Sequence, residues 1–248
     1  MKLRMERLRA WRLCLLSLIL SCYPGALGPD VARSADEVVD EKAHQEVAEI
    51  IQKIQARYEK TKDLQAEFTQ KTRIEGFATP VVSSGRFYIK KPGLLRWDYR
   101  EPSIQEIYVN KDDVRMYVPE HKQVLVGKLT HMAASQAPLQ LLQGVGRIDE
   151  EFDVQPTGQE RGAGGIRRMT LTPKQGRSEP DRAVQRIVIE VQPKTYFLRT
   201  IALHEVTGNV ATFEFIDLKS NSGLPDDLFE FKMPADVEVV KAPVLSPP

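Results

Sequence analysis

The chain has 248 residues, 42% hydrophobic and 28% charged, with a formal net charge of +1. That size suits one large β-rich or α+β domain, or two small ones, and the near-neutral balance excludes the basic field that nucleic-acid binding needs. Both cysteines, Cys14 and Cys22, fall near the N-terminus, so the body of the protein has neither a disulfide framework nor a cysteine metal site.

In chain order, Lys2, Arg4, Arg7, Arg9 and Arg12 stand against Glu6 alone, which concentrates positive charge at the start and leaves the remainder mildly acidic. The apolar run Leu13 to Cys22, broken only by Ser17 and Ser21, follows, and then Tyr23-Pro24-Gly25-Ala26. A basic n-region, a short apolar h-region and a small-residue zone predict a secretory signal peptide over residues 1–28, too short for a permanent membrane span. Ala26-Leu27-Gly28 has small residues at cleavage spacing, although Pro29 comes directly after it. Leu18-Ile19-Leu20-Ser21-Cys22 resembles a lipobox, in which Cys22 would be acylated and become the first residue; the other reading makes Cys22 apolar filler of the h-region.

Residues 29–40 are polar and acidic, the composition of a flexible tether. A helix follows, capped by Ser34 with Glu37 or by Asp40, in which Ala43, Val47, Ile50, Ile51, Ile54 and Tyr58 recur at helical spacing. Glu46, Glu49, Gln52, Lys53 and Arg57 occupy the opposite face. Such a stripe packs either as ordinary core or as a lid over a concave sheet, and the two look alike in sequence.

From Leu64 the period becomes two. Leu64, Ala66 and Phe68 predict a strand to about Arg73, with a loop through Pro80. Phe87 and Ile89, a Pro92-Gly93 turn, then Leu95, Trp97 and Tyr99 predict a hairpin with one apolar face. Ile107 with Val109, Val114 to Val118, and Val124 with Val126 predict three more strands joined by turns at Asn110 to Asp113 and Pro119 to Lys122. Pro138, Leu139, Leu141, Leu142 and Gly144 then suggest a short helix. Strands resume at residues 152–155, 167–172, 184–191, 197–203 and 210–218, with a turn at residues 225–228, a last strand near residues 237–240 and a loose tail over residues 242–248. The pattern is an antiparallel meander of roughly ten strands.

The residues that could carry chemistry are scattered. His44, His121, His131 and His204 have no metal-ligand spacing, no Gly-x-Ser-x-Gly elbow exists, and the pairs Asp112-Asp113 and Asp226-Asp227 sit in turns. No catalytic residue, metal or cofactor is therefore assigned. Apolar surface is what remains.

The run Gly85-Arg86-Phe87-Tyr88-Ile89-Lys90-Lys91-Pro92-Gly93-Leu94-Leu95-Arg96-Trp97-Asp98-Tyr99, with Glu101-Pro102 after it, resembles the periplasmic outer-membrane lipoprotein carrier (LolA) family. Phe68-Thr69-Gln70, Pro119 to Val126, the Leu139 to Leu142 region and Leu228-Phe229-Glu230-Phe231 to Pro234 are similar to it in the expected order. The resemblance implies a mainly β, α+β fold: a curved antiparallel sheet forming an unclosed half-barrel over residues 41–241, covered by a lid of short helices. It also implies a monomeric, non-enzymatic chaperone that carries acylated lipoproteins from an inner-membrane ABC-type releasing complex to an outer-membrane receptor.

Combining that expectation with the strand phase, the acyl-chain cavity is assigned to Phe68, Phe87, Ile89, Leu95, Trp97, Ile107, Val109, Met116 and Phe213, and the lid to Ile50, Ile54, Leu139 and Leu142. The family often has arginine before the hairpin proline, where it holds the lid; here Lys91 takes that place, and Arg96 is a second latch candidate. Two other readings stay open: a lipoprotein of the same fold anchored through Cys22, and a secreted hydrolase or purely structural β-domain.

Overall fold

The computed structural model describes residues 35–129, 141–142, 148–157, 167–174 and 183–241, with no side-chain description for residues 35–43. Leu139 and His131 lie outside these residues, as do the signal segment, Cys22 and the tail. Residues 141 and 142 are helical, where the leucine helix was expected.

Helix α1 spans Ala35–Glu59. It starts inside the stretch expected to be a tether, and at 25 residues it is long rather than short. Twelve strands follow: β1 Asp63–Arg73, β2 Val81–Lys90, β3 Leu94–Glu101, β4 Gln105–Asn110, β5 Asp113–Val118, β6 Gln123–Lys128, β7 Phe152–Pro156, β8 Arg167–Pro173, β9 Val184–Val191, β10 Leu198–Glu205, β11 Val210–Ser220 and β12 Glu238–Lys241. A single turn of helix, α2 (Ile148–Glu151), precedes β7 and was not foreseen.

All twelve strands form one sheet in the order β12-β6-β5-β4-β3-β2-β1-β11-β10-β9-β8-β7. The edges β12 and β7 do not pair with each other, so the curved sheet stays open. The expectation of a wholly antiparallel sheet fails at one place: β12 runs parallel to β6, because the chain returns along the outer face before adding this last short strand. Strands β1 to β6 pair consecutively as hairpins, β7 to β11 pair consecutively as well, and the β1–β11 pairing joins the two halves.

Burial follows the alternation. On β1 Leu64, Ala66 and Phe68 are buried, on β2 Phe87 and Ile89, and on β3 Leu95 and Trp97. In the other half Met169, Leu171, Ile187, Ile189, Ile201 and Leu203 turn to the same interior. Helix α1 closes that interior with Val47, Ile50, Ile51, Ile54 and Tyr58, the stripe that its spacing predicts. A second, smaller apolar group, Tyr108, Val124, Leu224 and Phe229, is also buried but lies outside the main core. Tyr108 and Tyr117 meet Phe231 at ring distances of 5.2 and 6.1 Å, so the C-terminal segment covers the outer face of β4 to β6.

Candidate functional site: the concave face and its helical cover

Register decides which apolar residues meet. Phe87 pairs with Trp97, Trp97 with Ile107 and Ile107 with Met116, while Phe68 lies across β1 from Gly85 and Phe215. Gly85 is required there: a Cβ would stand 1.9 Å from the Asp98 carbonyl oxygen and 3.0 Å from the Phe68 ring. That gap lets aromatic rings gather on one face. Phe87 stacks on Trp97 at 5.1 Å and 17°, and Phe68 meets Trp97 at 4.6 Å. Phe213 meets Trp97 edge-on at 5.8 Å, and Phe215 meets Phe87 edge-on at 5.3 Å.

The structure thus brings Phe68, Phe87, Ile89, Leu95, Trp97, Val109 and Phe213 into one buried cluster with Ile50, Ile54 and Leu142, and Ile107 packs against it half-buried. Met116 is on the same face but half-exposed and outside that cluster, whereas Val114, two residues earlier on the same strand, is buried in it. The cavity assignment left out several residues of this face: Phe215 beside Phe213, and the β8–β10 residues Met169, Leu171, Ile187, Ile189 and Ile201. Val184, Ile187, Ile189 and Val191 already show the signal, but only the β1–β11 pairing shows that their face continues that of Phe68.

Helix α1 is pinned mostly at its C-terminal end. The Tyr58 hydroxyl accepts the Leu198 N–H at 3.2 Å, and its ring meets Phe197 edge-on at 5.6 Å. Complete burial pushes the Tyr58 hydroxyl pKa far up, so it stays neutral. Arg57 donates to the Thr195 carbonyl at 2.8 Å and lies over the Phe197 ring. Lys91 reaches from the β2–β3 turn and donates its Nζ–H to the Tyr58 carbonyl at 2.5 Å. Helix C-termini leave carbonyls unsatisfied, and a cation there is doubly suited. Burial pulls the Lys91 pKa below its ordinary value, partly offset by Glu59. Further along the helix, Gln55 donates to Asp149 at 3.2 Å, and Arg167 pairs with Glu46.

Arg96 does not share this role. Alternation along β3 puts it on the face opposite Leu95 and Trp97. Its Nε donates to Asp98 at 2.9 Å, it donates to the Leu228 carbonyl at 3.3 Å, and its guanidinium stacks over Tyr108 at 5.0 Å. It therefore fastens the C-terminal segment to the outer face, and the lid assignment for Arg96 is corrected on that ground. Burial raises the Asp98 pKa, with Arg96 acting in the opposite direction.

Among the described residues, no group of three histidine, cysteine or acidic side chains is close enough to hold a metal ion. The candidate site is the apolar concave face under α1, and the fold is an open half-barrel.

The comparisons agree. Residues 59–232 match the family described as outer membrane lipoprotein carrier protein LolA, and the chain belongs to that family. It is 30% identical over 182 residues to an outer-membrane lipoprotein carrier protein of Nitrosospira multiformis, covering 73% of this chain and 84% of that one. A protein of the same description from Methylococcus capsulatus is 30% identical over 176 residues, covering 71% and 80%. The crystal structure of an uncharacterised conserved protein from Thermus thermophilus matches with a TM-score of 0.51 at 16% identity, covering 80% of this chain and all of that one, a likeness of fold. As a member of a carrier family the protein is not an enzyme.

Proposed function

We propose that this protein is a soluble periplasmic carrier that takes acylated lipoproteins from an inner-membrane ABC-type releasing complex to an outer-membrane receptor, shielding their acyl chains under α1. The observation that carries the reading is an open sheet whose concave face is apolar at its centre and lies under α1. Each CH₂ removed from water contributes about 0.8 kcal/mol, so a cargo with several chains needs such a face to cross an aqueous space. In the closed state Phe87, Leu95 and Ile187 are fully buried, and the chains take their place when α1 lifts. Lys91, at the C-terminal end of α1, is the latch. A few polar contacts hold α1, so a partner can shift the balance between closed and open states with a modest free energy.

The family membership and the carrier description of the relatives support this reading. The test is release: the exported protein is added to inner-membrane vesicles that hold a newly acylated lipoprotein and the organism's releasing complex. Cargo in the supernatant, in a one-to-one complex with a monomer, is the expected result. Cargo retained by vesicles of proven activity would overturn the soluble reading, and an acylated Cys22 found by mass spectrometry of the exported protein would replace it with the anchored one.

A further inference from the structure

The strand ends far from Lys91 carry polar groups on the concave face, where the centre is dry. Continuing the alternation past Phe68 gives Gln70 and Thr72, past Trp97 gives Tyr99, and before Ile107 gives Gln105. With Ser83 these line a cleft of about 280 Å³. The groups form a relay: the Tyr99 hydroxyl donates to Gln70 Oε1 at 2.7 Å, and Gln70 Nε2 donates to Thr72 Oγ1 at 3.1 Å. Burial pushes the Tyr99 pKa up to about 12, partly offset by the neighbouring Trp97 indole N–H.

That indole N–H is the second observation. Trp97 is 4% exposed, and its Nε1 is buried without a hydrogen-bonded acceptor among the described residues; it lies beside the Tyr99 hydroxyl, not in hydrogen-bond geometry. A buried donor left unpaired costs about 1–3 kcal/mol, which an incoming acceptor would recover. The same pole is also apolar at its rim. Ile74, Phe77, Ile104 and Val206 are 37, 69, 56 and 64% exposed, on three loops at this end of the sheet. Ile74 and Pro102 both line it, and the Glu75 N–H donates to Asn209 at 3.0 Å.

We propose that Trp97 Nε1–H, together with the Tyr99–Gln70–Thr72 relay, seats the ester carbonyl oxygens at the head of a diacylglyceryl-cysteinyl ligand. The head then lies at the pole opposite Lys91, and the chains run inward over Phe68 and Phe87. This rests on the carrier reading and adds to it a device that distinguishes an acylated peptide from a bare hydrocarbon.

Three probes test it on the purified protein: a dipalmitoylglyceryl-cysteinyl peptide, its dialkyl-ether analogue without ester carbonyls, and N-phenyl-1-naphthylamine, an apolar dye with no carbonyl. Trp97→Phe, Tyr99→Phe and Gln70→Leu are each expected to weaken the ester peptide about tenfold, the worth of one buried hydrogen bond. Tyr99→Phe and Gln70→Leu, outside the cavity assignment, should leave the ether analogue and the dye within about twofold with unchanged thermal midpoints. The ester loss of Trp97→Phe, which also lines the cavity, is read relative to its loss for the dye. Equal affinity of the wild type for ester and ether peptides, or equal losses for both in the variants, would overturn the seat while binding of the dye keeps the apolar cavity. A wild type that binds neither peptide nor dye would remove the carrier reading and the seat with it.

Discussion

Replacing Phe87 by alanine removes a fully buried ring that touches both Trp97 and Phe215. The lost transfer energy and the remaining cavity together are expected to cost about 3–5 kcal/mol, read as a shift in the urea midpoint. Lys91→Met should act differently. It removes the Nζ donor from the Tyr58 carbonyl at a cost of roughly 1 kcal/mol, and it should speed hydrogen exchange of the last turn of α1 while Lys91→Arg restores protection. His204 supplies the pH dependence. Partial burial, then Arg186 and Arg73, pull its pKa below 6.5. Between that lowered value and 6.5 the unfolded chain binds more protons than the folded one, so stability should fall as pH drops through that window. His204→Gln should flatten this slope in thermal midpoints measured from pH 7 down to 5.

At the scale of elements, the β2–β3 hairpin depends on one glycine. Gly85→Ala places a methyl group 1.9 Å from a backbone carbonyl oxygen of the partner strand, and backbone cannot swing aside as a side chain can. The expected outcome is a loss of about 3 kcal/mol or more, seen as a lower thermal midpoint with disturbed near-UV signal from Trp97. Gly93 plays a smaller part in the same hairpin: at φ +75° it holds a conformation that other residues seldom adopt, and its carbonyl accepts the Lys111 N–H at 2.7 Å. The helix is tied to several separate pieces of chain: the β2–β3 turn through Lys91, the β9–β10 loop through Arg57, β8 through Arg167 and α2 through Gln55. None of these ties is a strand pairing, so the lifting of α1 that the proposed function requires would leave the sheet's ladder intact.

For the whole molecule, the sheet has apolar groups on both faces, and different pieces of chain cover them. Helix α1 covers the inside, and the segment from Leu224 to Phe231 covers Tyr108 and Val124 on the outside. Asp63 anchors the start of that segment by accepting the Ser222 and Gly223 N–H groups at 2.7 and 3.0 Å. Truncation after Ser220 is therefore expected to expose the outer patch. The shortened protein should bind an apolar dye more strongly and self-associate in size-exclusion chromatography; an unchanged monomer with the wild-type midpoint would show that the segment contributes nothing.

Period and turn chemistry located the strands from the sequence by itself, because side chains alternate with a period of two and Pro92-Gly93, Asn110 to Asp113 and Pro119 to Lys122 interrupt that period. The α1 stripe from Val47 to Tyr58 was legible for the same kind of reason. Local periodicity carries no information about which distant strands become neighbours. The β1–β11 pairing, which puts Phe68 beside Phe215, the parallel β12, and the attachment of Arg96 to the Leu228 carbonyl all follow from contacts between residues far apart in the chain. The unpaired Trp97 N–H belongs with these, since whether a buried donor finds an acceptor depends on every element packed around it.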